Sequence, residues 1–298
     1  MENLLVLNGS HSDIPLIKAG KKLGFRVITT GNRPDLIGHR YADEYICCDF
    51  SDPVAVYNTF KDRHISAVCS CANDFGAITA AFLAEKLGLP GHDTYENALT
   101  IHHKDRFKRF AADIGLHTPK AVSFSELSGA IAFEPESYPF MVKPIDLTGG
   151  KGVSKVYDRG EYEAAVKLAF DLSPSGRIVA EPFIEGTQHS FSTFLIGGRV
   201  RAYFSDNEYS YLNKFLVSTS AGPATKVDCA KDILISDAEK TAKALDLKDG
   251  VFHYQYILSE NNEPFILEIT RRCSGDIYPE PVEHATGIKW AENIVRAE

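Results

Sequence analysis

The chain has 298 residues, of which 44% are hydrophobic and 24% charged. At about 150 residues per domain this is enough for two globular domains, and the composition excludes a disordered chain, a collagen-like rod and a coiled coil. Lys and Arg number 32 against 40 Asp and Glu, giving a net charge of −8, and no basic block offers a face to duplex nucleic acid.

In chain order, Met1-Glu2-Asn3 and the short run Leu4 to Leu7 lack the basic start and long apolar stretch of a signal peptide. No apolar run approaches the roughly 18 residues of a membrane helix. The expectation is a cytoplasmic protein that partners neither nucleic acid nor membrane. Leu4 to Leu7 reads as a strand, followed by the turn Asn8-Gly9-Ser10-His11-Ser12. Ile14, Ile17 and Leu23 recur at helical spacing over residues 13–23, with Pro15 suited to the first turn and Gly24 to the stop. Phe25 to Thr30 and Ile65 to Cys71 read as further strands, and residues 74–87 as a long amphipathic helix ending at Gly88. Strands alternating with helices predict parallel pairing with right-handed crossovers, hence a small doubly wound α/β domain. The first turn lacks G-x-G-x-x-G, which argues against a dinucleotide site.

The texture changes near residue 100. Residues 103–115 read as a helix carrying Lys104, Arg106, Lys108 and Arg109, and a turn follows at Leu116-His117-Thr118-Pro119. A helix is expected near 160–172 and a surface turn at Ser173-Pro174-Ser175-Gly176. Strands are expected at Ser190 to Ile196, Arg199 to Phe204, Val251 to Leu258 and Pro264 to Ile269, with a short helix from Trp290 to Ala297. This pattern is an α+β region of mainly antiparallel strands. The six cysteines, Cys47, Cys48, Cys69, Cys71, Cys229 and Cys273, include no C-x-x-C pair. Zinc or thioredoxin chemistry therefore has little support, and reduced thiols are expected. Cys69 and Cys71, two apart, would share one face of a strand.

Three segments carry chemistry. In Phe140 to Val153 an apolar strand ends in Lys143, Pro144 blocks further regular pairing, and Gly149, Gly150 and Gly152 follow within four residues. Glycines let backbone N–H groups turn toward one anion, and the lysine adds a point charge. A G-x-x-x-x-G-K-[ST] loop is absent, and a plain glycine-rich hairpin is the alternative. The second segment is Val179 to Gln188. In the third, Phe265 to Arg272, period-two alternation puts Glu268, Thr270 and Arg272 on one face. Such a set suits a metal–phosphate centre, the alternative being a solvent-facing edge strand.

Together and in this order, these segments resemble the ATP-grasp superfamily, of the carboxylate–amine ligase type found with biotin carboxylase, D-alanine ligase and the large subunit of carbamoyl phosphate synthetase. Lys104 in His103 to Phe107 and the exit Gly115 to Pro119 resemble that family's entry helix. The resemblance implies a pre-ATP-grasp domain at residues 1–98 and an ATP-grasp domain at 99–298 with a mobile lid at about 118–182. It implies that Lys104 and Lys143 flank ATP phosphates and that Thr148 to Gly152 fold over them. Glu181 would meet the adenine, with backbone contacts from Pro182 through Phe183 to Ile184. Leu267 and Val142 would wall the purine, and Gln188 would take the ribose position. Glu268, Gln255 and Thr270 would take the metal positions, with Mg²⁺ or Mn²⁺ as the ion and Asp276 as a further carboxylate. Arg272 would sit by the transferring phosphoryl group, catalytic together with Lys143. Gln188, Gln255 and Thr270 depart from the family's usual Glu, acidic residue and Asn, so weaker metal binding is expected.

The implied function is an ATP-dependent ligase that joins a small carboxylate to an amine through an acyl phosphate. The alternatives are a nucleotide-binding protein with little turnover of its own and a small-molecule kinase. The acceptor pocket is expected between the turns bearing Ser10, His11, Asn73 and Asp74 and the segment from Tyr209 to Pro223, which includes Lys214 and reads equally as an ordinary surface loop. Arg271 would either pair with a substrate carboxylate or lie on the solvent face. Cys273, beside the metal positions, is either a reactive thiol or a packing residue. A homodimer is compatible with the resemblance.

Overall fold

A computed structural model describes residues 2–70, 72–147 and 149–298, so Cys71 and Thr148 lie outside the described residues. The first strand, β1 (Asn3–Leu7), buries four consecutive side chains. Leu4 and Val6 enter one apolar cluster and Leu5 and Leu7 another, so both faces of the strand are covered. That is the requirement on a central strand of a parallel sheet. Around it come α1 (Ile14–Lys22), β2 (Arg26–Gly31), β3 (Glu44–Cys47), α2 (Pro53–Phe60), β4 (Ile65–Cys69) and α3 (Asp74–Leu87). The sheet order is β3-β2-β1-β4, all parallel, with the doubly wound character expected. β3 and α2 escaped the sequence reading, although Asp52 caps α2 and Pro53 occupies its first turn. The α3 helix begins where Asn73 accepts from the Phe75 N–H and stops at Gly88, which takes φ 69°. It is buried over most of its circumference rather than on one face.

Two helices, α4 (Tyr95–His102) and α5 (Lys104–Asp113), lead into an antiparallel unit. It comprises β5 (Val122–Phe124), α6 (Leu127–Ala132), β6 (Phe140–Pro144), β7 (Ser154–Val156), α7 (Arg159–Leu172) and β8 (Ile178–Pro182), with sheet order β5-β8-β6-β7. Its own small core contains Phe140, Val142, Val156 and Tyr162. A second antiparallel sheet follows, built from β9 (Gly186–Ile196), β10 (Arg199–Tyr209), β11 (Thr219–Ala221), α8 (Lys231–Leu245), β12 (Gly250–Ser259) and β13 (Pro264–Thr270), in the order β11-β10-β9-β12-β13. One face of this sheet packs on α5 and α8 through Phe191, Phe252, Tyr254 and Leu234. Among the described residues no helix is long and apolar enough to cross a membrane.

The chain closes with α9 (Pro279–Thr286) and α10 (Trp290–Ala297). α10 returns to the N-terminal sheet, so Trp290 shares a cluster with Leu16, Ile17 and Val27 and meets Phe194 of β9 edge-on at 6.0 Å. Trp290 is 1% exposed and is the chain's single tryptophan. Its loss opens a cavity at the seam of two sheets. Trp290→Ala is expected to destabilise the protein by about 3–5 kcal/mol in chemical denaturation, with the N-terminal and antiparallel sheets both weakened. A cost below about 1 kcal/mol would mean that α10 does not staple them.

Candidate active site

The four-stranded antiparallel sheet and the larger antiparallel sheet face each other across a cavity of about 330 Å³. On β6, alternation sends Met141 and Lys143 into this cavity and Phe140 and Val142 into the core of the four-stranded unit. Val142 is therefore not a cavity wall, contrary to expectation, because it sits one residue out of phase. Leu267 and Ile257 line the opposite side, and Pro182, Phe183, Ile184 and Gln188 line the hinge end. Lys104 enters from the start of α5 and donates to the Leu147 carbonyl at 3.0 Å. Gly149 and Gly150 line the cavity with φ of 68° and 70°. A side chain at Gly150 would come within 2.7 Å of the Phe215 carbonyl, so glycine is needed for this close approach. Phe215, Leu216 and Lys214 lie over the loop and line the same space. Gly152 also has positive φ, but it backs onto Pro144 and does not line the cavity.

At the hinge end, Glu181 is 1% exposed and pairs with two lysines. Lys143 is one, and the other is Lys108, whose Nζ lies 2.8 Å from Glu181 Oε2. Burial works to raise the Glu181 carboxyl, but the two ammonium groups outweigh it and hold it at about 2. Burial lowers Lys108, against the pull of Glu181. Lys108 also donates to Thr118 Oγ1 at 2.7 Å. The sequence reading noted it only as one charge of a basic helix. The signal lay in its position four residues after Lys104, which puts both on one helix face.

The opposite end is acidic. Glu268 lies across from Gln255 in the β12–β13 ladder, and Thr270 across from His253. Gln255, Glu268 and Arg272 line both the first cavity and a neighbouring one of about 450 Å³, which Thr270 also lines. The strand face bearing Glu268 and Thr270 is thus turned to a cavity rather than to bulk solvent. Glu208 of β10, absent from the sequence reading, joins this end. It accepts from Gln188 Nε2 at 2.9 Å and from Gln255 Nε2 at 3.2 Å. Burial, Asp206 and Glu268 push its carboxyl up to about 8. Thr270 Oγ1 is buried without a hydrogen-bond partner. Oxygen donors gathered at a cavity, one of them orphaned, suit a hard divalent cation that keeps phosphate and water ligands. Among the described residues no three His, Cys, Asp or Glu gather as a complete metal site. Asp276 does not join Glu268, because its carboxylate is turned to His11 Nε2 at 3.4 Å with a side chain 88% exposed.

The second cavity is lined by Ser218, Thr219, Ser220, Ser274 and Tyr278 in addition to the acidic end. The segment after Tyr209 thus borders it in part, as expected, while Lys214 belongs to the first cavity. Arg272 Nε donates to Asp74 at 2.7 Å, and His102 Nδ1 lies 3.1 Å from the same oxygen. Burial opposes the Asp74 charge, yet Arg272 and His102 keep its carboxyl far below the usual range. Three expected substrate residues stand elsewhere. Asn73 serves as the cap of α3. His11 reaches the rim only through Asp276. Arg271, in the bend just after β13, points away, pairing with Asp93 at 2.7 Å and donating to the carbonyls of Val251 and Lys248. Cys273 is buried among apolar residues and its thiol is pushed up to about 12, which fits packing rather than reactivity.

His253, also missed, is buried against the second cavity and hydrogen-bonds with Ser192 and Ser274. Burial first, then Arg272, lowers it to about 3, so the folded ring is neutral at pH 7. Above pH 6.5 neither state binds the proton, and below it only the unfolded state does. Stability therefore falls as pH drops from 6.5 toward 3. His253→Gln should remove this dependence. The stability difference between wild type and variant should shift by about 1.4 kcal/mol per pH unit below 6.5 in urea titrations. A pH-independent difference would contradict the neutral buried ring.

The whole chain shares its fold with solved ligases and synthetases. A phosphoribosylglycinamide synthetase from Anaerococcus prevotii is 24% identical with a TM-score of 0.78, and the match covers 99% of this chain and 74% of that one. An L-amino acid ligase from Bacillus licheniformis is 23% identical with a TM-score of 0.80, covering 99% and 73%. An N5-carboxyaminoimidazole synthetase from Staphylococcus aureus, complexed with ADP, is 17% identical with a TM-score of 0.81, covering 99% and 76%. At such identities the likeness is one of fold. The family model for the ATP-grasp domain matches residues 103–276, more than half of the sequence, and the chain belongs to the ATP-grasp family.

Proposed function

We propose that the protein is an ATP-dependent ligase that joins a small-molecule carboxylate to an amine by way of an acyl phosphate. The observation that carries this reading is the polarity of one cavity. Lys104, Lys143 and a glycine loop line it together with Glu268 and Gln255, and Lys108 is buried behind Glu181. A nucleotide laid between them has its adenine at Pro182 to Ile184, beside Glu181, and its phosphates under Gly149 and Gly150. Lys143 leaves Glu181 for the phosphates, while Lys108 keeps Glu181 ionised. Glu268, Gln255 and Thr270 would hold Mg²⁺, which neutralises charge on the β- and γ-phosphates. The acceptor carboxylate enters the adjoining second cavity and attacks the γ-phosphorus, with ADP leaving. Arg272, held by Asp74, opposes the charge that develops on the transferring group. The amine then displaces phosphate from the acyl carbon. Phe215 and Leu216 over the glycine loop keep water from the acyl phosphate. The names of the structural neighbours, ligases and synthetases among them, support the reaction class.

The decisive experiment is ADP release with panels of small acids, with and without amines. Amine-dependent release together with an amide product is expected. A stable phosphorylated product would mean a kinase. Tight ATP binding without turnover over broad panels would mean a nucleotide-binding protein.

Lys143→Ala removes a point charge at a strand end. It should cut turnover on the order of 100-fold or more, the scale for losing one transition-state charge contact, while the thermal midpoint moves little because Lys108 still neutralises Glu181. Activity near that of the wild type would displace Lys143 from the phosphates.

A further inference from the structure

We propose that Glu208 is a positioning residue of the cation end, aiming the carbonyl oxygens of Gln255 and Gln188 and taking up negative charge once a cation stands beside it. The assignment rests on the ATP-ligase reading. On β12 and β13, Glu268 is the sole carboxylate beside Gln255 and Thr270 at the junction of the two cavities. One carboxylate with neutral partners is a weak holder of a divalent cation. Two strands away, β10 brings Glu208 to the same sheet face, where it lines the second cavity.

Its partners define its role. Gln188 Nε2 and Gln255 Nε2 both face its oxygens, at 2.9 and 3.2 Å. A carboxamide has one donating and one accepting end. With both NH₂ groups committed to Glu208, both carbonyl oxygens are turned away from it, which leaves that of Gln255 for the cavity beside Glu268. An unanchored glutamine could equally present its NH₂ group, which repels a cation. Asp206 does not take this role, because it lines neither cavity and its Oδ1 is held by Ser190 and, at 2.9 Å, by Tyr278. An independent mark of a ligand is Thr270 Oγ1, on a residue 4% exposed, which lines the same cavity and has no hydrogen-bond partner.

The test moves the charge rather than deleting it. Mn²⁺ binding is measured by electron paramagnetic resonance at one fixed pH, with a non-hydrolysable ATP analogue present, for wild type, Glu208→Gln and Glu208→Gln/Gln255→Glu. Analogue affinity is measured separately in EDTA. Glu208→Gln should weaken Mn²⁺ binding about 10-fold or more, the scale for losing a group that orients a metal ligand, and lower analogue affinity in EDTA by a clearly smaller factor, since Gln188 alone is released there. The double variant exchanges the acid and the amide across one contact and should recover Mn²⁺ binding to within about 3-fold of wild type. A merely structural Glu208 would show no such recovery. Unchanged Mn²⁺ affinity in Glu208→Gln, or no recovery in the double variant, overturns the proposal. Should the single variant not fold, the double variant decides by the same recovery. If the analogue binds wild type neither in EDTA nor with Mn²⁺, the ATP reading itself falls and this assignment with it.

Discussion

Everything in the cavity is organised around one buried carboxylate held between two lysines. Glu181 comes from β8 of the four-stranded antiparallel sheet, Lys143 from the neighbouring strand β6 and Lys108 from helix α5. Lys108 is in turn fixed through Thr118, whose hydroxyl donates to the Ile266 carbonyl of β13. Buried ions are expensive to desolvate, and a lysine in such a place without its carboxylate would lose its proton or unfold its surroundings. The cluster ties that sheet to α5 at little net gain in stability. Its value is positional. Two lysines face one glutamate, so the cluster carries one more positive charge than Glu181 cancels. A polyphosphate is suited to take it up.

The acidic end applies the same physics with the sign reversed. Asp206, Glu208 and Glu268 crowd one sheet face, and burial together with this crowding raises Glu208 to about 8. Two carboxylates near each other resist joint ionisation unless a cation stands between or beside them. The cavity thus has lysines beside the glycine loop and, at β13 and β10, carboxylates that a cation would allow to ionise together. Magnesium nucleotide has the complementary charge order. Water is a poor substitute at either end, since it screens without neutralising.

Local pattern carried much of this into the sequence. The α3 and α10 bounds, the strand carrying Lys143, the glycine loop and the alternation of Glu268 with Thr270 all rest on neighbours a few residues apart, though that strand runs on through Pro144, which pairs with Ile178 instead of ending the ladder. What stayed hidden depends on longer range or on phase. Glu208 joins Gln255 only because β10, β9 and β12 align in register, and nothing near residue 208 announces it. Lys108 looked like a surface charge because burial of a lysine needs a distant glutamate. Val142 was one residue out of phase, and on a strand a single step exchanges cavity for core. Arg271 lies in the bend after β13, where strand alternation no longer sets its direction. β3 was lost differently. Its side chains are only partly buried at the edge of the parallel sheet, so it lacks the apolar run that marks β1.

The first turn of the N-terminal α/β region has no dinucleotide fingerprint, and this region instead contacts the end of β13. The two arginines after β13 point to opposite sides, and each is held by an aspartate from the first hundred residues. Arg272 pairs with Asp74 at the start of α3, and Arg271 with Asp93. Ser12 adds a third tie, accepting from the Asp276 N–H at 3.0 Å. An arginine in the cavity is useful only if its guanidinium is aimed, and a long side chain left free spends its entropy elsewhere. Asp74 fixes Arg272 from one side while the strand end fixes its backbone. The anchoring of Arg271 in turn keeps that strand end from twisting. The direction of the Arg272 guanidinium at the cavity is therefore set by an aspartate that the N-terminal α/β sheet region supplies.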